Sequence, residues 1–333
     1  MKNNVLVVGG AGYIGSYMAK YLACRNFAPI VLDNLSTGHA ESARFGNLVV
    51  GDLADQALLD QLFSEYKFVA VMHFAAASLV GESMVDPAKY YRNNVSNTLN
   101  LLDAMVKHDV LDFIFSSTAA IFGDPEYTPI DELHPKNPIN PYGASKLMIE
   151  RVLEDYAAAY GLNSVSLRYF NACGADPDGD LGELHEPETH LIPLVLQAAS
   201  GRRESIKIFG TDYPTLDGTC VRDYIHIVDL CQAHYKALVK LLDHSLSGAR
   251  GFNLGNGNGF SVKEIIEVAS AIVSKDGKSI RVDNSERRPG DPVLLMAEAI
   301  AALEELNWQP EYPNLEEMIE HAWAWEKRQI RSI

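Results

Sequence analysis

Cysteine is scarce in this chain of 333 residues, and the four that occur, at positions 24, 173, 220 and 231, form no Cys-x-x-Cys pair. They are too sparse for a disulfide scaffold, so a reducing setting is expected, and no metal site is predicted. Long apolar runs are also missing, and the opening MKNNVLVVGG is typical of a strand rather than of a signal peptide. We therefore expect a cytoplasmic protein that does not contact a membrane.

Positive charge is in deficit, because 28 lysine and arginine residues stand against 44 aspartate and glutamate residues, for a net charge of −16. Nucleic-acid binders present a basic face, so no nucleic-acid partner is expected. An anionic ligand would have to meet local arginines. Because 47% of the residues are hydrophobic, the chain can bury a core large enough for two domains.

A nucleotide-binding pattern opens the chain. The β-branched run 5–8 is followed by GGAGYIGS and then by apolar residues at helical spacing. Gly9, Gly12 and Gly15 lie three apart, a spacing that serves a tight turn, close approach to a pyrophosphate and close helix packing. A glycine turn without a ligand is the alternative interpretation. The next strand, 29–32, ends at Asp33, whose carboxylate would accept ribose hydroxyls and repel a 2′-phosphate, so NAD is favoured over NADP.

Strand and helix patterns then alternate. This alternation predicts an α/β fold with a doubly wound, Rossmann-like parallel sheet. The expected strands are 48–50, 68–74 and 113–116, and the expected helices are 55–66, 87–107 and 141–160.

The pattern changes near residue 171, where NACGADPDGDLGELHEPETH has the composition of a loop. We predict an NAD-binding domain over 1–170 and a smaller mixed α/β substrate domain over 171–333. A strand near 251–257 is expected to return to the first domain. Helices are expected at 190–200, 262–273 and 315–327.

Small and polar residues follow the strands where ligands bind in such sheets, beyond the carboxyl ends. FAAAS follows one strand, and SSTAA, beginning with Ser116, follows another. In NPYGASK, Asn140 and Pro141 are typical of a helix start, so Tyr142 and Lys146 would share one face. Hydroxyls at strand ends also serve turns, but three polar groups here converge on one crevice.

The chain resembles the extended short-chain dehydrogenase/reductase family, and within it the UDP-sugar 4-epimerases. The resemblance runs almost from end to end, and its more specific motifs are DNLSTGH, LRYFNACGA with the GDLGE segment, and DGTCVRDYIHIVDL. Others are GGAGYIGS, HFAAASLVGES, NNVSNT, SSTAAIFG, NPYGASK and RRPGD.

The resemblance implies a cofactor site for NAD. Many members have serine where Thr118 stands, which keeps a hydroxyl, and others have lysine where Ser78 stands, so that contact is in question. The implied NAD-binding residues, with the three glycines and Ser116, are Tyr13, Ile14, Asp33, Asn34, Leu35, Ser36, Thr37, Gly38, Asp52, Leu53, Phe74, Ala75, Ala76, Ala77, Ser78, Asn94, Tyr142, Lys146 and Phe170.

The resemblance also implies catalysis by Tyr142, Lys146 and Thr118, and a homodimer in which helices near 90–107 and 142–160 form a bundle. UDP-glucose and UDP-galactose would interconvert through a transient 4-keto sugar, with hydride held on tightly bound NAD. Substrate contacts would come, besides Thr118 and Tyr142, from Asn171, His190, Lys207, Ile208, Phe209, Arg222, Arg288, Asp291 and Leu295.

A phenol with a pKa of about 10 is a poor base at neutral pH, so Tyr142 needs help. A lysine ammonium roughly 6 Å away would stabilise the phenolate by about 3 kcal/mol and lower the pKa by about two units, while burial acts in the opposite direction. Arg222 and Arg288 are the candidates for pairing with the diphosphate, because a guanidinium binds two phosphate oxygens at once.

Other functions within the same fold remain open. A 4,6-dehydratase would need an acid and a base after the threonine, where this chain has Ala119 and Ala120. An NADP-linked reductase would favour a basic residue at Asp33, and a non-catalytic NAD-binding regulator would not need Tyr142 and Lys146. UDP-N-acetylhexosamine and UDP-pentose epimerases also remain alternatives. Leu295 is the candidate for limiting the room at the sugar C2 substituent, and the alternative is that it is a core residue next to Leu294.

Overall fold

The structure, a computed structural model, describes residues 2–288 and 291–331. Pro289 and Gly290 of the RRPGD motif and the last two residues of the second predicted domain lie outside this part. The described residues form the strands β1 (Asn3–Val8), β2 (Phe27–Asp33), β3 (Asn47–Val50), β4 (Phe68–His73), β5 (Asp112–Ser116), β6 (Asn163–Tyr169), β7 (Asn171–Cys173), β8 (Ile206–Phe209), β9 (Val221–His226), β10 (Ala249–Leu254), β11 (Gly259–Ser261), β12 (Val282–Ser285) and β13 (Leu294–Leu295).

Helices alternate with these strands through the first half of the chain, and further helices follow in the second half. The helices of the described residues are α1 (Tyr13–Ala23), α2 (Gln56–Tyr66), α3 (Val80–Val85), α4 (Pro87–Tyr90), α5 (Asn97–Lys107), α6 (Pro141–Tyr160), α7 (Leu191–Ser200), α8 (Ile227–Leu242), α9 (Val262–Ser274), α10 (Ile300–Glu305) and α11 (Leu315–Arg331). Within the described residues, none of these helices has the length and apolarity needed to cross a bilayer.

A seven-stranded sheet with the order β10-β6-β5-β4-β1-β2-β3 forms the centre of the fold, and all of its pairings are parallel. Successive side chains of β1 point to opposite faces. Val5 and Val7 pack with α1 and α8, whereas Leu6 and Val8 pack with α2, α5 and α6. Burial on both faces explains why β1 reads as a continuous apolar run. The predicted doubly wound parallel sheet is confirmed.

The second half of the chain contributes both to this sheet and to smaller ones. β10 pairs in parallel with β6 at the edge of the large sheet. β7, β11 and β13 pair with β9, and β12 pairs with β8. Helices α7, α9 and α11 pack together over a separate hydrophobic cluster. The division of the chain after residue 170 stays a prediction.

The turn after β1 can only be built from glycine at two positions. Gly9 has a φ of 77°, and a Cβ atom there would lie 2.5 Å from the backbone nitrogen of Ala75, just beyond β4. A Cβ atom at Gly15 would lie 2.2 Å from the carbonyl oxygen of Gly9. The absence of these side chains lets the start of α1 pack directly on the turn and lets the turn approach the end of β4.

The expected single helix over 87–107 is wrong in detail. α4 and α5 are separated by a π-helical segment, Tyr91–Ser96. The wider turn directs the buried Asn94 side chain inward, where its Oδ1 accepts the Ala77 N–H at 2.9 Å and its Nδ2 donates to the Ala77 carbonyl at 3.0 Å. The π segment therefore accompanies a side chain that satisfies the backbone beyond β4. Such segments are frequent at functional sites.

Candidate active site

The motif NPYGASK forms the start of α6, as its residues predict. Asn140 caps the helix by accepting the Gly143 N–H at 2.8 Å, and Pro141 is the first helical residue. Tyr142 and Lys146 consequently lie one turn apart on the helix face that meets the end of β5. A small residue is needed between them, because a Cβ atom at Gly143 would lie 2.4 Å from the Ala120 carbonyl oxygen.

Lys146 is buried against the end of β5. Its Nζ donates to the Ser116 carbonyl at 2.8 Å and lies 4.7 Å from the centre of the Phe115 ring. Burial lowers the pKa of Lys146 from 10.5 to about 7. A buried lysine with a depressed pKa and only one carbonyl partner of this kind is a candidate functional group, because it gains little from a purely structural role.

Thr118 and Tyr142 meet through their side chains. Thr118 caps the short 3₁₀ turn Ala119–Ile121, where its Oγ1 accepts the Ala120 N–H at 3.2 Å. Burial raises the pKa of Tyr142 above its ordinary value, and a hydrogen bond with Thr118 opposes that rise. In the ligand-free chain, burial thus outweighs the lowering that the sequence led us to expect, and the phenol is protonated at neutral pH.

A buried ionic network joins α6 to β6 and to the end of β5 next to this site, and the sequence did not predict it. Glu150, one turn beyond Lys146, accepts the Ser117 hydroxyl at 2.7 Å and forms two hydrogen bonds with Arg168 at 2.8 and 2.9 Å. Lys136 lies 3.5 Å from the same carboxylate. The i, i+4 spacing of Lys146 and Glu150 was the sequence signal that could have indicated Glu150, because residues four apart lie on one face of a helix.

The carboxylate of Asp33 is held in place by the glycine turn. Its Oδ2 accepts the Ala11 N–H at 2.9 Å and its Oδ1 accepts the Leu35 N–H at 2.8 Å. Asn34 donates from its side chain to Asp52 at 2.7 Å, which joins the ends of β2 and β3. Asn94 also donates to the Ser145 hydroxyl at 3.0 Å, which joins the end of β4 to α6.

The other residues expected to bind the cofactor lie beyond the carboxyl ends of the same strands. Tyr13 and Ile14 begin α1 after β1, Ser36, Thr37 and Gly38 follow β2, Leu53 follows β3, the segment 74–78 follows β4, and Phe170 follows β6. Ser78 is exposed, whereas Phe74 and the three alanines after it are partly buried. The structure brings this set together along one edge of the sheet.

The expected substrate residues other than Thr118 and Tyr142 lie on the second half of the chain. Arg222 on β9 forms an ion pair with Asp291, and Leu295 on β13 stands opposite Arg222 in the strand register. Asn171 on β7 donates from its side chain to the Asp223 carbonyl at 2.8 Å. These contacts gather four of the expected residues around β9.

Phe209 and Arg288 also come together, with the guanidinium 3.9 Å from the ring centre. Lys207 is exposed on β8, and the Ile208 side chain is buried in the cluster of α7, α9 and α11. Any contact of Ile208 with a ligand would therefore use its backbone. His190 directly precedes α7, and its side chain pairs with Glu183 on the preceding loop.

An open cleft of about 420 Å³ lies beside Arg288 and Asp291. Tyr213 lines it as well, and the sequence did not predict this residue. Its buried hydroxyl makes no hydrogen bond to any other part of the chain that the structure describes. The remaining lining residues are Asp124, Arg287, Pro292 and Val293. A polar ligand in this cleft would satisfy the Tyr213 hydroxyl.

The residues at the sheet edge fit a dinucleotide. The glycine turn leaves room that a Cβ atom would fill, the Asp33 carboxylate is fixed by two backbone N–H groups, and a row of alanines follows β4. The α1 N-terminus adds unpaired N–H groups for phosphate. This parallel sheet with its glycine turn and acidic residue is that of a Rossmann-like dinucleotide-binding protein.

Residues 5–255 match the NAD dependent epimerase/dehydratase family, and this chain belongs to that family. A UDP-glucose 4-epimerase from Halalkalibacterium halodurans is 51% identical over 97% of this chain and 95% of its own length. The crystal structure of a Brucella ovis UDP-glucose 4-epimerase in complex with NAD is 50% identical, covers 96% of this chain and 97% of that one, and has a TM-score of 0.92.

A third relative was solved with a nucleotide sugar. The UDP-glucose-4-epimerase from Stenotrophomonas maltophila, with bound NAD and formylated UDP-arabinopyranose, is 35% identical, covers both chains completely and has a TM-score of 0.94. Each of these three relatives is similar to this chain over at least 96% of its length.

The depressed pKa of Lys146 predicts a pH-dependent stability difference. Between pH 7 and 10.5 the unfolded lysine holds more protons than the folded one, so the destabilisation that Lys146 causes in the nucleotide-free protein should decrease as the pH rises through this window. Lys146→Met should therefore melt above wild type at pH 7, and the gap should narrow towards pH 10. Lys263→Met, at an exposed position of α9, is the control and should melt close to wild type. A gap that widens with pH would contradict the assignment.

Proposed function

We propose that this chain interconverts UDP-glucose and UDP-galactose by epimerisation at C4 of the sugar. The observation that carries the proposal is the meeting of Thr118 and Tyr142 beside the buried Lys146, at the sheet edge that fits a dinucleotide. Family membership and the names of relatives that match nearly the whole chain support the same reaction.

Tyr142 is the group that would exchange a proton with the C4 hydroxyl of the sugar. Because burial raises the pKa of Tyr142, positive charge must be brought to the phenol before it can accept that proton. Lys146 lies one turn along the same helix and is the source of charge that the chain itself provides. Thr118 would hold the sugar oxygen by hydrogen bonding, and the carbonyl of Ser116 would hold Lys146.

NAD, when bound, would supply the hydride acceptor and donor for C4. Asp33 would bind the adenine ribose, and its two backbone partners keep the carboxylate oriented without the ligand. The N–H groups at the start of α1 would meet the pyrophosphate. Asn94 would keep the segment after β4 in position through its two hydrogen bonds to Ala77.

Arg222 and Arg288 would bind the diphosphate in an otherwise acidic protein. Arg222 is engaged by Asp291 in the ligand-free chain, so phosphate oxygens would take over part of that pairing when substrate binds. The Arg288 guanidinium lies over Phe209 beside the cleft, a geometry that leaves its edge available for hydrogen bonds. Both arginines then serve a doubly charged ligand that the net charge of the protein would repel.

A 4,6-dehydratase is disfavoured at the position where it would need an acid and a base. Ala119 packs in an apolar cluster with Ile121, Phe122 and Ile130, so this turn has no ionisable side chain next to Thr118. Elimination of water would have no donor there. The alternatives that remain differ only in the sugar, namely UDP-N-acetylhexosamines and UDP-pentoses.

Purified protein should convert UDP-galactose to UDP-glucose without added cofactor. Tyr142→Phe should lower kcat by about 10²- to 10⁴-fold, the usual contribution of a general base, and leave UDP binding nearly unchanged. Tyr160→Phe, at the exposed end of the same helix, is the matched control and should retain full activity. Coupled detection of UDP-glucose measures both rates, and near-normal turnover of Tyr142→Phe would contradict the assigned role.

Leu295 is proposed to limit the room at the sugar C2 substituent. It stands opposite Arg222, a proposed phosphate ligand, and it packs, like Phe170, against the apolar cluster of Ala119, Ile121, Phe122 and Ile130. UDP-glucose and UDP-galactose should be the main substrates, with UDP-N-acetylglucosamine slow, because a buried N-acetyl amide without a partner costs about 1–3 kcal/mol.

Leu295→Tyr should abolish the slow reaction with UDP-N-acetylglucosamine and spare the reaction with UDP-glucose. The control is Leu294→Tyr, which introduces the same ring on the opposite face of the strand and should not change the ratio. The measurement is kcat/KM for both sugars in each variant. A ratio that Leu295→Tyr leaves unchanged would make Leu295 a core residue only.

A homodimer and a cytoplasmic location complete the proposal. Met148 and Tyr160 are exposed on α6, which is one of the helices expected at the dimer interface. All four cysteines are unpaired, which suits a reducing compartment. Light scattering should give twice the mass of one chain, and a monomer at working concentration would contradict the dimer. Recovery in a secreted fraction would contradict the location.

A further inference from the structure

A second group of titratable side chains lies on the loop between β7 and α7, and the proposed chemistry at Tyr142 does not use it. Glu183, His185, Glu188 and His190 each offer one ligand atom, and these four atoms all lie within 4.8 Å of one another. We call these four residues the Glu/His cluster. Imidazole nitrogens and carboxylate oxygens are ligands that zinc binds.

The distances within the Glu/His cluster are close to those of a coordination shell. His185 Nδ1 lies 3.0 Å from Glu183 Oε1 and 3.7 Å from Glu188 Oε1, and His190 Nδ1 lies 3.9 Å from Glu188 Oε1 and contacts Glu183 Oε1 as well. In a tetrahedral zinc site with bonds of about 2.0–2.1 Å, neighbouring ligand atoms are about 3.3–3.4 Å apart. Small shifts would therefore place the four atoms around one ion.

We propose that the Glu/His cluster binds one Zn²⁺ ion through two imidazole nitrogens and two carboxylate oxygens. The ion lies outside the Thr118, Tyr142 and Lys146 centre, and it shares with the proposed epimerisation only His190, which is also one of the residues expected to contact the substrate. Two nitrogen ligands favour zinc over magnesium or calcium, which prefer oxygen ligands.

Charge balance supports a cation at this position. The Glu183 and Glu188 side chains are only 4% and 5% exposed, so two carboxylates are nearly removed from water. Two imidazolium rings would compensate both negative charges, but with ring centres 5.4 Å apart they would repel each other. One divalent cation balances both carboxylates and lets both histidines stay neutral.

The surroundings hold the ligands in place, as outer partners do in metal sites. Glu188 Oε1 accepts the backbone N–H groups of Thr189 and His190 at 2.7 and 2.9 Å. Trp325 on α11 donates its indole N–H to the Glu183 carbonyl at 3.0 Å. A cavity of about 30 Å³ adjoins Glu183, His185 and Glu188, which is enough room for a water on the ion.

The nearby acidic cluster on the same loop shows the contrasting arrangement. Asp176, Asp178 and Asp180 also converge, but the Lys20 ammonium lies 2.5, 2.8 and 3.1 Å from their carboxylates. The lysine already provides the positive charge at that position. The Glu/His cluster differs because, within the residues that the structure describes, Glu183 and Glu188 form ion pairs with His185 and His190 and with no lysine or arginine.

The test uses full-length protein without a histidine tag, equilibrated with excess Zn²⁺, desalted and analysed for metal. Wild type should retain one zinc per chain and melt higher than chelator-treated protein, because a ligand of the folded state stabilises it. His185→Ala and Glu188→Gln should each weaken zinc binding on the order of tenfold or more, as measured against a chromophoric chelator. His244→Asn, an exposed histidine outside the cluster with a positive φ that asparagine tolerates, is the control and should bind zinc like wild type.

Crystals of wild type soaked in Zn²⁺ give a readout that does not depend on any variant folding. Anomalous density at the zinc edge should lie between the four side chains of the Glu/His cluster. A peak at the exposed Cys24 instead, the absence of retained zinc, or unchanged affinity in folded His185→Ala would overturn the proposal.

Discussion

The hydrogen bond from Lys146 to the Ser116 carbonyl joins the two elements on which the site depends. It fixes the start of α6 against the end of β5, and these elements carry Tyr142 and Thr118. Burying an ammonium with a single carbonyl partner costs free energy, which the lowered pKa of Lys146 reports. This unfavourable burial occurs where a charged ligand would interact with the ammonium and offset the free energy lost. An unfavourably buried charge at a ligand site is expected of a functional residue rather than of a structural one.

The strength of this junction comes from the layer beneath it. Glu150 is charged and buried, and it is compensated by Arg168 from β6 and by the Ser117 hydroxyl from the end of β5. Three elements therefore meet in one network directly below the Thr118–Tyr142 contact. A buried pair of this kind adds little net stability but disfavours other arrangements of these elements, because any shift would leave a charge unpaired. The relative positions of Thr118 and Tyr142 are therefore fixed by the free-energy cost of leaving a buried charge unpaired.

Elements with strong local patterns could be predicted from the sequence, and those shaped by tertiary contacts could not. α6 begins and ends at the predicted residues, because Asn140, Pro141 and the C-terminal Gly161 define its ends locally. The π segment around Asn94 was missed, since it arises from hydrogen bonds to Ala77 that lie on another element. The sixteen-residue helix α8 was also missed, although His226 caps it and its buried residues recur at helical spacing.

The candidate site divides in the same way. Tyr142, Lys146, Asp33 and the glycines were found from local spacing, because each belongs to a short motif at a strand end. Tyr213 and the Glu/His cluster were not found, since their neighbours come from distant segments or from a loop without a regular period. The pairing of Arg222 with Asp291 likewise depends on β9 and the segment before β13 lying side by side. Spacing reveals ligands on one element, whereas convergence between elements requires the fold.

Helix α1 links the two halves of the chain. Its first turn faces the predicted phosphate position, while Tyr13 donates its hydroxyl to the Gly174 carbonyl at 2.8 Å and the Cys231 thiol contacts the Ile14 carbonyl at 3.8 Å. Further along, Lys20 meets the three aspartates of the loop after β7. The loop that carries the Glu/His cluster is thus anchored to the helix that would hold the cofactor. Because α1 contacts both this loop and α8, the helix that would hold the cofactor phosphates is fixed directly against elements from the second half of the chain.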